Sequence, residues 1–242
     1  MDAPRTIDKP GAWVDLGLTL PVFLLYHLGV VFLNVRNASD VVTGLILQLT
    51  EGNLALYLLV TAAIGATFAG VFVWLGRGHA LQPKKFLQIA VEGVVYATVM
   101  RFFGSWVVAK IFAGKAIAGG FVGFVMSLGA GFYEELTYRV LLFGLGAKLL
   151  VWLIARQKVS LVEGSSRLPS LKALAITLGW SVVAAAVFSG VHYVGPLSDP
   201  FDLKSFVFRW VLGLTLTVIY ATRGFAAAVW AHALYDVWVL VL

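Results

Sequence analysis

The chain has 242 residues, 60% of them hydrophobic and only 12% charged, and it contains no cysteine. A soluble domain carries about 25% charged residues, so a water-soluble enzyme is excluded, together with disulfides, thiolate nucleophiles and cysteine-bound metals. In so apolar a chain (mean hydropathy +0.92), the net charge of +6 points to basic loops at a membrane surface and not to nucleic acid.

Apolar runs broken by charges predict an all-α fold, a polytopic transmembrane helical bundle. A span takes about 20 apolar residues. Seven runs qualify, near 13–35, 54–76, 86–109, 117–155, 171–194, 203–221 and 224–242. The short polar stretch MDAPRTIDKPGAW leads straight into the first run, which lacks a convincing small-residue cleavage site and reads as an uncleaved anchor. The fourth run is too long for one straight span. Gly129-Ala130-Gly131 offers it a place to bend or break, so it crosses once as a long, kinked helix or twice as two segments, which would make eight spans. A single crossing with the N-terminus inside puts Arg5, Lys9, Arg77, Lys84, Lys85, Arg156, Lys158, Arg167, Lys172 and Arg223 on the inner side. Arg36, Lys110, Lys115, Lys204 and Arg209 then lie outside. The inner set outnumbers the outer one, which fits a cytoplasmic N-terminus and a multi-pass protein of the bacterial inner (cytoplasmic) membrane. The polar linker 156–170 reads as a loop within one membrane domain, residues 1–242.

Ionisable residues inside apolar spans cost about 2.5–3.5 kcal/mol each on insertion scales, so each is a functional candidate. The fourth run carries Glu134, Glu135 and Arg139 in the stretch GFYEELTYRV. On an α-helix Glu135 and Arg139 lie about 40° apart and can pair. Glu134 points about 100° away from Glu135, free to face something else. Neighbouring carboxylates in low dielectric suit general-base work, while the bland reading is a neutralised polar patch joining helices. The fifth run ends with Phe188 and His192 four apart. The last contains His232 and Asp236 at the same spacing, where the carboxylate can accept from the ring and fix its tautomer; helix packing is the structural reading of that pair. Glu92 and Arg101 are out of phase on their helix, and His27 reads as packing or interfacial, so these three are set aside.

The stretches EELTYR (134–139), FSGVH (188–192) and HALYD (232–236) together resemble the CPBP family of type II CAAX prenyl proteases and bacteriocin-processing, Abi-type membrane proteins. That family shows EExxxR, FxxxH and HxxxN or HxxxD in this order. FVFRWVLG (206–213) and YATRGF (220–225) are similar to its Phe/Gly-rich helix and the link to its last helix. The resemblance covers about residues 117–242, the catalytic core helices. It implies a glutamate-dependent intramembrane endopeptidase in which Glu134 is the general base and, with His192, activates water. His232 and Asp236 would serve the oxyanion, with Glu135, Arg139 and Phe188 supporting. Asp236 stands where the family often has Asn, and an ionised carboxylate only accepts; it is therefore expected to orient His232, the alternative being a protonated Asp236 that donates.

No cofactor and no metal is expected. The rival within enzymes is a zinc protease using the two glutamates and two histidines, although HExxH is missing. Rivals of other classes are a proton-coupled transporter and a non-catalytic immunity or scaffold protein of the same fold. The expected partners are the lipid bilayer and a membrane-associated protein or peptide substrate, with no nucleic acid.

Overall fold

The computed structural model describes residues 11–77, 83–111, 120–157, 170–195 and 198–241. The first ten residues, most of the 156–170 linker and Lys115 lie outside them. Eight helices follow in order: α1 Ala12–Leu33, α2 Val41–Leu49, α3 Leu54–Leu75, α4 Pro83–Ile111, α5 Gly120–Ala155, α6 Leu171–Gly190, α7 Leu203–Arg223 and α8 Phe225–Leu240. The described residues contain no strand, and the fold is an all-α polytopic bundle.

Six helices (α1, α3, α4, α5, α6 and α7) are long and apolar enough to cross a membrane. The expected seventh span, α8, is apolar but only 16 residues long, short of the length that about 30 Å of hydrocarbon requires. Large apolar side chains face outward along the helices, among them Phe32, Phe102, Phe103, Leu171 and Val218, as a lipid-facing surface demands. The protein is an integral multi-pass membrane protein.

Helix starts follow from local polar residues. Asp40 accepts from Thr43 N–H, Asn53 from Leu56 N–H, Ser170 from Ala173 N–H and Asp202 from Ser205 N–H, each satisfying an amide that the first turn leaves unpaired. Gly224 links α7 to α8 at φ 95°, a left-handed conformation that favours glycine.

The long fourth run is one helix of 36 residues without a break. Its winding loosens to i→i+5 bonding over Ala130–Leu145, a geometry that recurs at functional sites. The glycines expected to bend or break it serve as close-approach points. A Cβ on Gly129 would run into the Tyr26 ring, and one on Gly131 would sit 2.7 Å from both Ala233 Cβ and Val229 O.

Backbone contacts divide the chain within α5 and just after α7. One unit comprises Ala12–Glu135 and Ala226–Leu242. In it α1 is central, packing on α3, α4 and the first half of α5. Asp15 of α1 accepts from the Ala226 amide at 2.8 Å and Leu18 O from Trp230 Nε1 at 3.1 Å, which fixes α8 along α1. The other unit spans Leu136–Phe225. There the second half of α5 packs on α6, and α6 on α7. Phe143, Ala147 and Ala184 form its small core, with Trp180 Nε1 donating to Leu142 O at 2.8 Å.

Candidate active site

Both glutamates of the opening motif reach a single imidazole. His232, on α8, is 3% exposed, and its Nδ1 lies 2.7 Å from Oε1 of Glu135, which is fully buried. A carboxylate oxygen accepts, so Nδ1 carries the proton and donates. The other ring nitrogen, Nε2, faces two further carboxylates: Asp236 Oδ2 at 3.6 Å and Glu134 Oε2 at 4.0 Å. These are ion-pair separations, longer than hydrogen bonds. His232 is thus held at Nδ1 by Glu135, with Glu134 and Asp236 on the side of Nε2.

This arrangement departs from the sequence reading in one respect. The acceptor that sets the ring is Glu135, on another helix; Asp236, four residues along α8, is on the Nε2 side. Glu134 faces the α1–α2 loop and α8. Its Oε1 accepts from Asn37 Nδ2 at 2.9 Å, while its other oxygen is turned toward Nε2. These partners come from the α1–α2 loop and from α8, which helical spacing within α5 does not reveal.

Asn37 lies in the loop between α1 and α2 and is 6% exposed. Its backbone amide donates to Tyr26 Oη at 2.9 Å, and Tyr26 donates to Asp40 Oδ2 at 2.9 Å. Its Oδ1 accepts from the Ser39 amide at 2.8 Å. Beside this chain His27, fully buried, sits between the hydroxyls of Tyr57 (2.7 Å from Nδ1) and Tyr133 (2.6 Å from Nε2). Tyr133 immediately precedes Glu134, so His27 anchors the turn that carries the carboxylates. Sequence reasoning set His27 aside and missed Asn37, Tyr26 and Asp40 entirely. The one available signal was a polar stretch, NVRNASD (34–40), between two apolar runs.

Arg139, Phe188 and His192 belong to the other unit. The Arg139 guanidinium lies 4.1 Å over the centre of the Phe188 ring and donates from Nη2 to Gly213 O at 3.4 Å, at 1% exposure. Phe188 also meets the His192 ring edge-on, with centroids 5.3 Å apart. His192 Nδ1 is 2.9 Å from the Phe188 carbonyl. A carbonyl only accepts, so Nδ1 holds a proton. The turn after His192 is fixed by Asp199, whose amide donates to His192 O at 2.9 Å and whose carboxylate takes Arg209 Nη2 at 2.7 Å. Arg209 also donates to Tyr193 Oη and Ser205 Oγ, both at 3.0 Å. Counted by sequence among outer loop charges, it is a loop clamp.

Among the described residues no three His, Asp or Glu side chains are grouped to hold a metal ion. The model of the family of type II CAAX prenyl endopeptidases, Rce1-like, matches residues 117–238, half of the chain and every candidate catalytic position. The chain belongs to this Rce1-like family. Membership makes it a protease-type hydrolase of the membrane at the general level. No curated protein and no solved structure matches it. The Rce1-like match takes in α5 to α8 and leaves out α1 to α4, so Asn37, which touches Glu134, lies outside the part that defines the family.

Proposed function

We propose that the protein is an intramembrane endopeptidase that hydrolyses a peptide bond of a membrane-associated protein or peptide with a glutamate-activated water. The observation that carries this is the pair Glu134 and Asp236 flanking Nε2 of a histidine whose Nδ1 is fixed by Glu135.

In the reaction, Glu134 takes a proton from water as the water oxygen bonds to the scissile carbonyl carbon. Charge develops on the carbonyl oxygen, and His232 donates to it from Nε2. That donation requires both ring nitrogens to be protonated, and Glu135 at Nδ1 retains its hydrogen bond in that form. Collapse of the tetrahedral adduct breaks the C–N bond, and the proton held by Glu134 passes to the leaving nitrogen. His192, with Nδ1 committed to the Phe188 carbonyl, is assigned by the motif order to the same water through Nε2. Arg139 and Phe188 support the helix behind His192. No metal enters the mechanism. The protein belongs in the inner (cytoplasmic) membrane of a bacterium with its N-terminus inside, a placement that the basic loops support.

The test is comparative membrane proteomics of native-host cells carrying wild type or Glu134→Gln at equal protein level. The expected result is one or more membrane peptides that persist uncleaved in the variant. Identical peptide profiles would refute the proposal and favour a non-catalytic role.

A further inference from the structure

We infer that Asn37, from the α1–α2 loop, is a positioning residue for the general base: its amide holds the Glu134 carboxylate in register with Nε2 of His232. This deepens the proposed function and rests on Glu134 acting as the base.

The direction of every bond in the chain is fixed by chemistry. The Ser39 amide can only donate, so the Asn37 atom it meets at 2.8 Å is Oδ1, and the atom facing Glu134 at 2.9 Å is the NH₂ group. The Asn37 amide can likewise only donate to Tyr26 Oη, so the Tyr26 hydroxyl proton points to Asp40 Oδ2. Asp40 is acceptor at both oxygens, since Oδ1 takes the Thr43 amide at the start of α2 at 2.8 Å. The donors thus run one way from loop to base on one side and from loop to Asp40 on the other. Tyr26 is fully buried, Asp40 is 2% exposed and Asn37 6% exposed, so none of these bonds competes freely with water.

The result is a rigid bracket. Asn37 is held at its backbone by Tyr26 and at its side-chain oxygen by Ser39, which leaves one freedom, the NH₂ aimed at Glu134 Oε1. A carboxylate on a helix can rotate about its side-chain torsions. With Oε1 tethered, Oε2 is the oxygen turned toward His232, at 4.0 Å from Nε2. A base must meet its proton within hydrogen-bond reach, and a small misplacement costs orders of magnitude in rate. A purely structural polar contact would need neither the free carboxylate oxygen nor its orientation.

The test uses the full-length protein in lipid and two substitutions. Asn37→Asp is isosteric, keeps the acceptor for Ser39 and removes the donor to Glu134; Asn37→Ala removes the donor without adding charge. The probe is a synthetic peptide spanning the cleavage site that host proteomics identifies. Both variants are expected to lower kcat about ten- to a hundredfold, the equivalent of one hydrogen bond to a charged group, with KM within about threefold of wild type. The pair is also tested without substrate. Asn37→Asp combined with Glu134→Gln reverses amide and carboxylate across the same contact, so it is expected to recover the thermal midpoint lost in Asn37→Asp while remaining inactive. An inactive Glu134→Gln beside Asn37→Asp and Asn37→Ala at wild-type kcat would overturn the Asn37 inference alone. An active Glu134→Gln would overturn the catalytic reading and this inference with it. Failure of the reversed pair to recover the midpoint would remove the contact itself.

Discussion

Replacing Glu135 offers the sharpest separation between a carboxylate that reacts and one that holds. Its Oε1 receives His232 Nδ1 at 2.7 Å in a site where Glu135 is fully buried. A hydrogen bond to a charged group contributes about 1.5–3 kcal/mol, against about 0.5–1.5 kcal/mol for a neutral pair. Glu135→Gln keeps an acceptor at the same place and forfeits only the difference, about 1 kcal/mol, or roughly fivefold in kcat. Glu135→Ala forfeits the whole bond and should slow turnover by between about tenfold and 150-fold. His232→Ala removes the proposed oxyanion donor and is expected to cost about 10²–10³ in kcat. The assay is cleavage of the host-derived peptide by purified variants in lipid, with thermal midpoints recorded to exclude unfolding. Glu135 acts through His232, so the double variant Glu135→Ala/His232→Ala should be no slower than His232→Ala. A folded Glu135→Ala at wild-type rate, or fully additive losses in the double variant, would refute the argument.

Asp236→Asn should keep activity within roughly tenfold, one hydrogen bond's worth at most, because the ring remains held at Nδ1; complete loss at normal protein level would return the orienting role to Asp236. Arg139→Ala should lower the thermal midpoint more than any change at Glu134, since it removes a buried cation over Phe188, an interaction of about 2 kcal/mol, and a wild-type midpoint would contradict this. Gly131→Ala inserts a methyl at 2.7 Å from Ala233 Cβ and should destabilise by about 1–3 kcal/mol, read as reduced yield and midpoint in detergent. Arg209→Lys should weaken the turn that carries His192, since lysine cannot reproduce the forked contact to Asp199, Tyr193 and Ser205; unchanged activity and unchanged protease resistance of the 194–202 loop would argue against the clamp. Cleavage that survives a strong chelator is expected, and its loss with recovery on adding zinc would establish the metal route instead.

Much of the architecture was legible from the sequence because burial in lipid writes itself as composition. Spans, their order and the three charged motifs could be read off runs of apolar residues and i,i+4 spacings, without knowing any contact. Two readings were limited by the same local logic. By sequence Gly129-Ala130-Gly131 is a place where α5 can bend, because glycine loosens a helix; that Gly129 meets Tyr26 and Gly131 meets Ala233 depends on helices far away in the chain. Helical spacing separates Glu134 from Glu135; that one meets Asn37 and the other His232 depends on partners 97 residues away in the chain.

What the sequence alone determined is the membrane-spanning helical class, the position of its charges and the candidates for the reacting groups. Tertiary structure decided how those groups are divided: Glu135 at one nitrogen of His232, Glu134 and Asp236 at the other, and Asn37 behind Glu134. The Asn37–Glu134 and Glu135–His232 contacts each join residues 97 positions apart in the chain. No periodicity spans such a separation, so only the packing of α1, α5 and α8 brings a polar loop and two charged helices to the same few ångströms.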